Sequence, residues 1–108
     1  MTRGDVVRLP ARRRARGHEQ RGSRYGVVVQ SDDFAELSTC LVAPTSRSVR
    51  PTSFRPLVTV AGTATRVLVE QLRATDLSDS REPVGHLSRA EMVSVDDALR
   101  VVLGLDQP

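Results

Sequence analysis

The sequence predicts a mainly β domain that ends in a single α-helix. Consecutive β-branched residues at positions 27–29 are typical of a strand that is buried on both faces. Proline residues interrupt any helical pattern in the middle of the chain, at Pro44, Pro51 and Pro56. Near the C-terminus, a capping box and apolar residues at intervals of three and four indicate a helix. The helix therefore follows the strands and does not alternate with them.

The strands are predicted from short apolar runs that are bounded by turn residues. The first run, Asp5–Leu9, ends at Pro10, which has no backbone N–H to donate to a sheet. A turn at Asp32-Asp33 would join the next two strands into an antiparallel pair. The remaining strands are predicted at 24–31, 38–44, 57–60 and 66–69.

The C-terminal helix is predicted from its two ends and from its apolar face. Ser88 and Glu91 have the spacing of a capping box, in which each side chain accepts a backbone N–H of the other residue. Gly104 is a suitable C-terminal stop. One face is apolar, with Met92, Val95, Leu99 and Val102. We therefore predict a surface helix over about 88–103 that packs on the sheet.

Length and composition indicate one small domain over residues 1–108 with an aliphatic core. The 108 residues include no Trp, one Tyr and two Phe, so Val and Leu must supply the buried area. The single cysteine, Cys40, lies in an apolar run and is interpreted as core filler. No apolar stretch has the length of a signal peptide or a membrane span, so we expect a soluble, cytoplasmic protein. We find no metal-ligand cluster and expect neither a metal nor a cofactor.

Positive charge is concentrated in the first part of the chain. All 16 basic residues are Arg, which reflects the codon bias of a GC-rich genome before any selection for phosphate contacts. Residues 1–66 hold 12 Arg and 5 acidic residues, a net charge of +7, whereas residues 67–108 have a net charge of −4. This asymmetry suggests nucleic acid or an acidic peptide as partner. A polar, basic loop over 10–23 is predicted to be mobile until a ligand binds, and a merely solvated loop is the alternative.

Six short segments occur in an order that resembles one known family. They are Arg3-Gly4-Asp5-Val6-Val7, Gly17-His18-Glu19-Gln20 followed by Arg24, Val27-Val28-Val29, Val42-Ala43-Pro44-Thr45-Ser46, Glu70-Gln71-Leu72-Arg73, and Val95-Asp96-Asp97-Ala98-Leu99. The segments extend over nearly the whole chain. Their order and spacing resemble the MazF/PemK family of toxin ribonucleases.

This resemblance implies a fold, an activity and a partner. The implied fold is an SH3-like β-barrel with a C-terminal helix, assembled as a homodimer. The implied activity is that of a metal-independent, sequence-specific endoribonuclease, in which the 2′-hydroxyl of single-stranded mRNA attacks the adjacent phosphorus. Its products would carry 2′,3′-cyclic phosphate and 5′-hydroxyl ends. The implied partner is a cognate, MazE-like antitoxin whose acidic tail occupies the RNA groove.

The resemblance also implies catalytic roles for Arg24, Thr45 and Glu19. The planar guanidinium of Arg24 matches two phosphate oxygens, and its high pKa favours charge stabilisation over proton transfer. The Thr45 hydroxyl can donate to a developing oxyanion. Glu19 would act as the base toward the 2′-hydroxyl or would orient Arg24, and both roles stay open. Contacts with substrate are expected from Gln20, Ser46, Arg12, Arg13 and Arg14, with Ser46 a weaker candidate for the catalytic pocket.

Each assignment has a structural alternative. Arg24 could pair with Asp32 or Glu19, and Thr45 could be a turn residue whose hydroxyl bonds its own backbone. Tyr25 stands where the family has Pro, so either the start of the second strand is less rigid or the ring replaces Pro in packing.

Two rival functions are compatible with the implied barrel. Gyrase-poisoning toxins similar to CcdB use the same barrel to bind a protein and do not cut RNA. The last residues of this chain, 103–108, lack the aromatic anchor expected of that class, which favours the nuclease. A catalytically weak RNA-binding relic is the third possibility.

Overall fold

A computed structural model describes residues 1–9, 24–78 and 82–107 of the chain. Seven strands and one α-helix lie within these ranges. The strands are β1 Asp5–Leu9, β2 Arg24–Val28, β3 Thr39–Ser46, β4 Leu57–Val60, β5 Thr63–Val67, β6 Arg73–Asp76 and β7 Gly85–His86. The helix is α1, Arg89–Leu103, and two short 3-10 helices cover Asp32–Phe34 and Val69–Gln71. The predicted mobile loop over 10–23 lies outside the described residues.

The strands form one antiparallel sheet that curls into a nearly closed barrel, and α1 packs against it. The strand order is β4-β5-β3-β2-β1-β7, with β6 also paired to β3. The predicted fold class, mainly β with a C-terminal helix in one domain, is confirmed. No helix in the described part of the chain is long and apolar enough to cross a membrane.

The central strand β3 changes partner along its length. Residues 39–42 pair with β6, and Thr45 and Ser46 pair with β5 on the same edge. Pro44 lies between these two segments, where the missing N–H of proline interrupts neither ladder. The carbonyl oxygen of Pro44 accepts a hydrogen bond from the Leu68 N–H at 2.8 Å. The proline that excludes a helix therefore marks the point where β3 changes partner.

Side chains on both faces of the central strands are buried. Val27 and Val29 belong to the main core, which includes Val95, Ala98 and Leu99 of α1. Val28 lies on the opposite face of the strand, in a second apolar cluster with Val7, Leu9 and Val42. This two-sided burial confirms the strand predicted from three consecutive valines.

The helix has the predicted ends but a shifted apolar face. The Ser88 side chain accepts from the Glu91 N–H at 3.1 Å, and the Glu91 side chain accepts from the Ser88 N–H at 2.8 Å. Gly104 ends the helix in the left-handed conformation, with φ of 67°. Val95, Ala98 and Leu99 are buried, whereas Val102, predicted on the buried face, is 36% exposed. The buried face of the helix therefore includes Ala98 in place of Val102.

Several strand boundaries differ from the prediction for local reasons. β2 ends at Val28 and not at residue 31, because Ser31 caps the 3-10 helix Asp32–Phe34. β5 begins at Thr63, directly after the positive φ of Ala61 and Gly62 that joins it to β4, and it ends before the predicted residues 68–69. Two strands, β6 and β7, were missed because they are short and mostly polar or exposed. β3 extends two residues beyond the predicted end, to Ser46.

We predict that Gly26→Ala destabilises the protein. A Cβ at Gly26 would overlap Cγ1 of Val42 and would lie 3.1 and 3.2 Å from the Cδ atoms of Leu9. Overpacking of this kind costs about 1–3 kcal/mol of unfolding free energy, which urea unfolding measures. The matched control is Gly85→Ala, because no atom lies within 4 Å of a Cβ there. Equal stability of the two variants would contradict the prediction.

Candidate active site

Arg24, the first residue of β2, carries the most informative polar group of the site. Its side chain is partly buried, and its Nε is fully buried without a hydrogen-bond partner among the described residues. A buried donor that lacks a partner costs about 1–3 kcal/mol, and more when the group is charged. Asp32, one of the acids considered as a partner, accepts instead from the Arg3 N–H at 2.7 Å. Arg24 is therefore placed to gain from an anion.

The register between β2 and β3 determines which hydroxyl shares a face with Arg24. Gly26 lies opposite Pro44 in this pairing. Because side chains alternate along a strand, Arg24 has the same face as Gly26, and Ser46 has the same face as Pro44. Continuing the register by two residues brings Ser46 opposite Arg24. Thr45 falls on the other face, with Tyr25.

Thr45 is buried inside β3 and its hydroxyl already has a partner. It is 6% exposed, and its Oγ1 donates to the carbonyl oxygen of Tyr25 at 3.2 Å. The alternative of a turn residue is wrong, because Thr45 is paired with Val67 of β5. The bond instead ties the end of β3 to the start of β2. The structure does not bring the Thr45 hydroxyl onto the face that carries Arg24.

Ser46 is buried to the same degree but is held by its own loop. It is 6% exposed, and its Oγ accepts from the Ser48 N–H at 3.3 Å. The Ser48 hydroxyl lies 3.3 Å from the same oxygen. Ser46, the weaker candidate in the sequence, thus has the better position relative to Arg24.

The ring of Tyr25 has a packing role. It packs against the main core, and the guanidinium carbon of Arg8 lies 5.6 Å from the ring centroid. A cation at this distance is attracted by the face of the ring. Of the two alternatives for the departure from Pro, the structure thus favours replacement of its packing by the aromatic ring.

The loop after Ser46 is held in place by an ion pair that the sequence did not reveal. Nε and Nη2 of Arg55 both donate to Oε2 of Glu70, at 3.1 and 2.8 Å. Nη1 of Arg55 donates to the carbonyl oxygen of Arg50 at 3.3 Å. Burial alone would raise the pKa of the Glu70 carboxyl, but the hydrogen bonds from Arg55 lower it below the ordinary value. No spacing rule could pair residues 55 and 70, which meet only when β5 folds back.

Five of the predicted site residues cannot be located. Glu19, Gln20, Arg12, Arg13 and Arg14 all lie outside the described residues. Their roles in catalysis and in RNA binding stay predictions, and so does the pairing of Arg24 with Glu19.

Cys40 and His86, two further side chains that could carry chemistry, both contact other residues of the fold. Cys40 packs partly against the second apolar cluster, and burial raises the pKa of its thiol, as expected of a cysteine that fills space. Nδ1 of His86 lies 2.8 Å from Oδ1 of Asp5 beside the start of α1. In the described ranges, no group of three or more His, Cys, Asp or Glu side chains could hold a metal ion.

Comparison with known proteins gives concordant results. The sequence profile described as PemK-like, MazF-like toxin of type II toxin–antitoxin system matches residues 2–103. A Mycobacterium tuberculosis protein described as a candidate toxin is 43% identical over 104 residues, covering 95% of this chain and 97% of the relative. The endoribonuclease MazF of Staphylococcus epidermidis is 31% identical over 111 residues, covering 96% and 92%.

A solved structure has the same fold at low sequence identity. It is an endoribonuclease from a mycobacterial species in complex with its cognate antitoxin. It matches with a TM-score of 0.80 and 15% identity, and the match covers 100% of this chain and 99% of the other.

We predict that Glu70→Gln makes the free energy of unfolding less dependent on pH at acidic pH. Because the pKa of Glu70 is lowered on folding, its charged form contributes stability above the ordinary pKa. That contribution is lost as the pH falls through the lower folded-state pKa. Between about pH 6 and pH 3, urea unfolding should show a smaller loss of stability for the variant, by on the order of 1 kcal/mol. Identical pH dependence in both proteins would contradict this result.

Proposed function

Since the chain belongs to the PemK-like, MazF-like family of toxins of type II toxin–antitoxin systems, we propose that it is an endoribonuclease that cleaves single-stranded mRNA. The main structural support for this proposal is a donor of Arg24 that is unpaired within the described part of the chain. The buried Nε of Arg24 has no partner among the described residues, at the sheet edge where Ser46 ends β3. A phosphate oxygen is the acceptor that a guanidinium fork at this position would suit.

The proposed reaction uses the nucleophile of the substrate. The 2′-oxygen attacks the adjacent phosphorus, and the bond from phosphorus to the 5′-oxygen of the next nucleotide breaks. A base removes the proton of the 2′-hydroxyl, and an acid supplies a proton to the departing 5′-oxygen. The products carry a 2′,3′-cyclic phosphate and a 5′-hydroxyl. This route needs no metal-bound water, and we propose that the reaction is independent of metal ions.

Each described residue then has a defined role. Arg24 donates to the non-bridging phosphate oxygens, whose charge increases as phosphorus becomes five-coordinate. Ser46 is the proposed hydroxyl donor to the same phosphate, because it shares the face of Arg24. Thr45, for which the family resemblance implies this role, is instead proposed to hold β2 and β3 together. Glu19 is proposed as the base or as the group that orients Arg24.

Two partners complete the proposal. The mycobacterial endoribonuclease with this fold was solved in complex with its cognate antitoxin, which supports a similar partner here. An acidic segment of such a partner would compete with RNA for the basic edge of the sheet. A homodimer is also proposed, as the family resemblance implies.

We predict that the protein cleaves a mixed-sequence RNA in EDTA and that Arg24→Ala lowers the rate on the order of 100- to 1,000-fold. Mapping the 5′ ends of the products should show specific cuts with 5′-hydroxyl ends. Arg100→Ala is the matched control, because this exposed arginine of α1 pairs with Asp97 on the helix surface. Intact RNA after incubation with the parent would contradict the proposal and favour the protein-binding, CcdB-like alternative.

A second prediction separates the two hydroxyls. Ser46→Ala should lower the cleavage rate and should also lower the unfolding free energy by about 1 kcal/mol, since the bond from the Ser48 N–H is lost. Thr45→Val should lower the unfolding free energy by about 1 kcal/mol, since the bond to Tyr25 is lost, and should keep the cleavage rate of the folded protein within a few-fold. Stopped cleavage in Thr45→Val with a normal rate in Ser46→Ala would assign the catalytic hydroxyl to Thr45.

A further inference from the structure

We propose that the β3–β4 loop, residues 47–56, is a prearranged arm for the RNA backbone. In this proposal Arg47 and Arg50 bind phosphates that flank the scissile one, and Glu70 is a positioning residue that holds the arm through Arg55. The inference rests on the proposed function and adds a second binding region to it.

The arm begins at the candidate active site. Arg47 directly follows Ser46, the last residue of β3, and Arg50 follows three residues later. Three residues of extended chain span at most about 11 Å, so both guanidinium groups stay near the end of β3. A strand of RNA whose scissile phosphate contacts Arg24 would therefore pass within reach of this loop.

Arg47 and Arg50 differ from the arginines that have structural roles. Arg3 pairs with Asp96, Arg55 with Glu70, and Arg100 with Asp97. Arg47 and Arg50 are exposed, and neither side chain forms a hydrogen bond or ion pair with the part of the chain that is described. Two cations without carboxylate partners on one short loop are available to phosphate groups.

The loop is ordered by contacts that leave these two guanidinium groups unused. Arg55 bonds Glu70 with two N–H groups and the Arg50 carbonyl with a third. Its guanidinium also lies over the ring of Phe54, 5.4 Å from the centroid. From β5, Nη1 of Arg66 donates to the Arg55 carbonyl at 2.8 Å. The backbone that carries Arg50 is therefore fixed by Arg55, and Arg55 is fixed by Glu70.

This order has an energetic consequence for binding. A flexible arginine loop loses conformational freedom when it binds a polyanion, which weakens the complex. A loop that is already fixed avoids most of that loss. Glu70 thus increases RNA affinity although its carboxylate carries the same sign of charge as the substrate.

The first experiment measures how many phosphates the arm binds. The probe is an RNA with a 2′-deoxy nucleotide at the mapped cleavage position, which removes the nucleophile and leaves binding intact. Dissociation constants are measured for the parent and for Arg47→Ala/Arg50→Ala over a range of salt concentrations. The slope of log affinity against log salt should become shallower by about 1.4 for two lost contacts with single-stranded RNA.

The matched control removes the same charge elsewhere. Arg89→Ala/Arg100→Ala also removes two exposed arginines, both on α1. Its salt slope should equal that of the parent. A slope of the loop variant equal to the parent slope would overturn the proposal, and so would an equal loss of slope in the control variant.

The second experiment tests the positioning role of Glu70. Glu70→Gln should weaken binding of the same RNA several-fold in the parent background and should raise KM more than it lowers kcat. In the Arg47→Ala/Arg50→Ala background it should have no further effect, because the cations that it positions are absent. An equal loss in both backgrounds would show a merely structural role and would overturn this part of the proposal. A milder variant, Glu70→Asp, keeps the charge and allows the same cycle if Glu70→Gln is too unstable.

The outcomes also separate this inference from the proposed function. A parent that cuts no RNA contradicts the nuclease assignment itself. A parent that cuts RNA with a salt slope unaffected by Arg47→Ala/Arg50→Ala keeps the assignment and overturns only the arm.

Discussion

The pairing of β2 with β3 is the constraint on which the sheet and the candidate site both depend. Gly26 must lack a side chain there, because Val42 and Leu9 fill the space that a Cβ would need. Close contact fixes the register, and the register assigns each neighbouring side chain to one face. A shift by one residue would exchange the faces of Ser46 and Thr45. Core packing around one glycine therefore determines which hydroxyl accompanies Arg24.

The described arginines fall into two groups, according to whether the side chain is paired with a carboxylate. Arg3 ties the segment before β1 to the end of β2 and to α1, because its Nε donates to the Val29 carbonyl and its Nη2 pairs with Asp96. Arg55 fixes the loop that follows β3 through Glu70. The second group includes Arg24, whose buried Nε has no hydrogen-bond partner among the described residues, and the exposed Arg47 and Arg50. All basic residues of the chain are Arg, so residue type does not distinguish the paired arginines from the others. The positions of the carboxylates in the folded chain make that distinction.

The strands and the helix were predicted where a signal was local. The bounds of β1, β4 and α1 matched closely, because proline, β-branched residues and a capping box each act within a few residues. The end of β3 was placed too early, since Pro44 suggested a strand end but instead lies at a change of partner. The missed strand β6 is mostly polar and forms only because β3 offers it an edge.

The sequence by itself determined the fold class and the family, since these depend on local patterns and on the order of short motifs. Tertiary structure decided that Ser46 shares the face of Arg24, that the Thr45 hydroxyl bonds Tyr25, and that Glu70 holds Arg55. These facts depend on register and on contacts between distant residues. Such contacts are set by packing over the whole barrel, because a side chain's face and partner are fixed only when the strands beside it are in place.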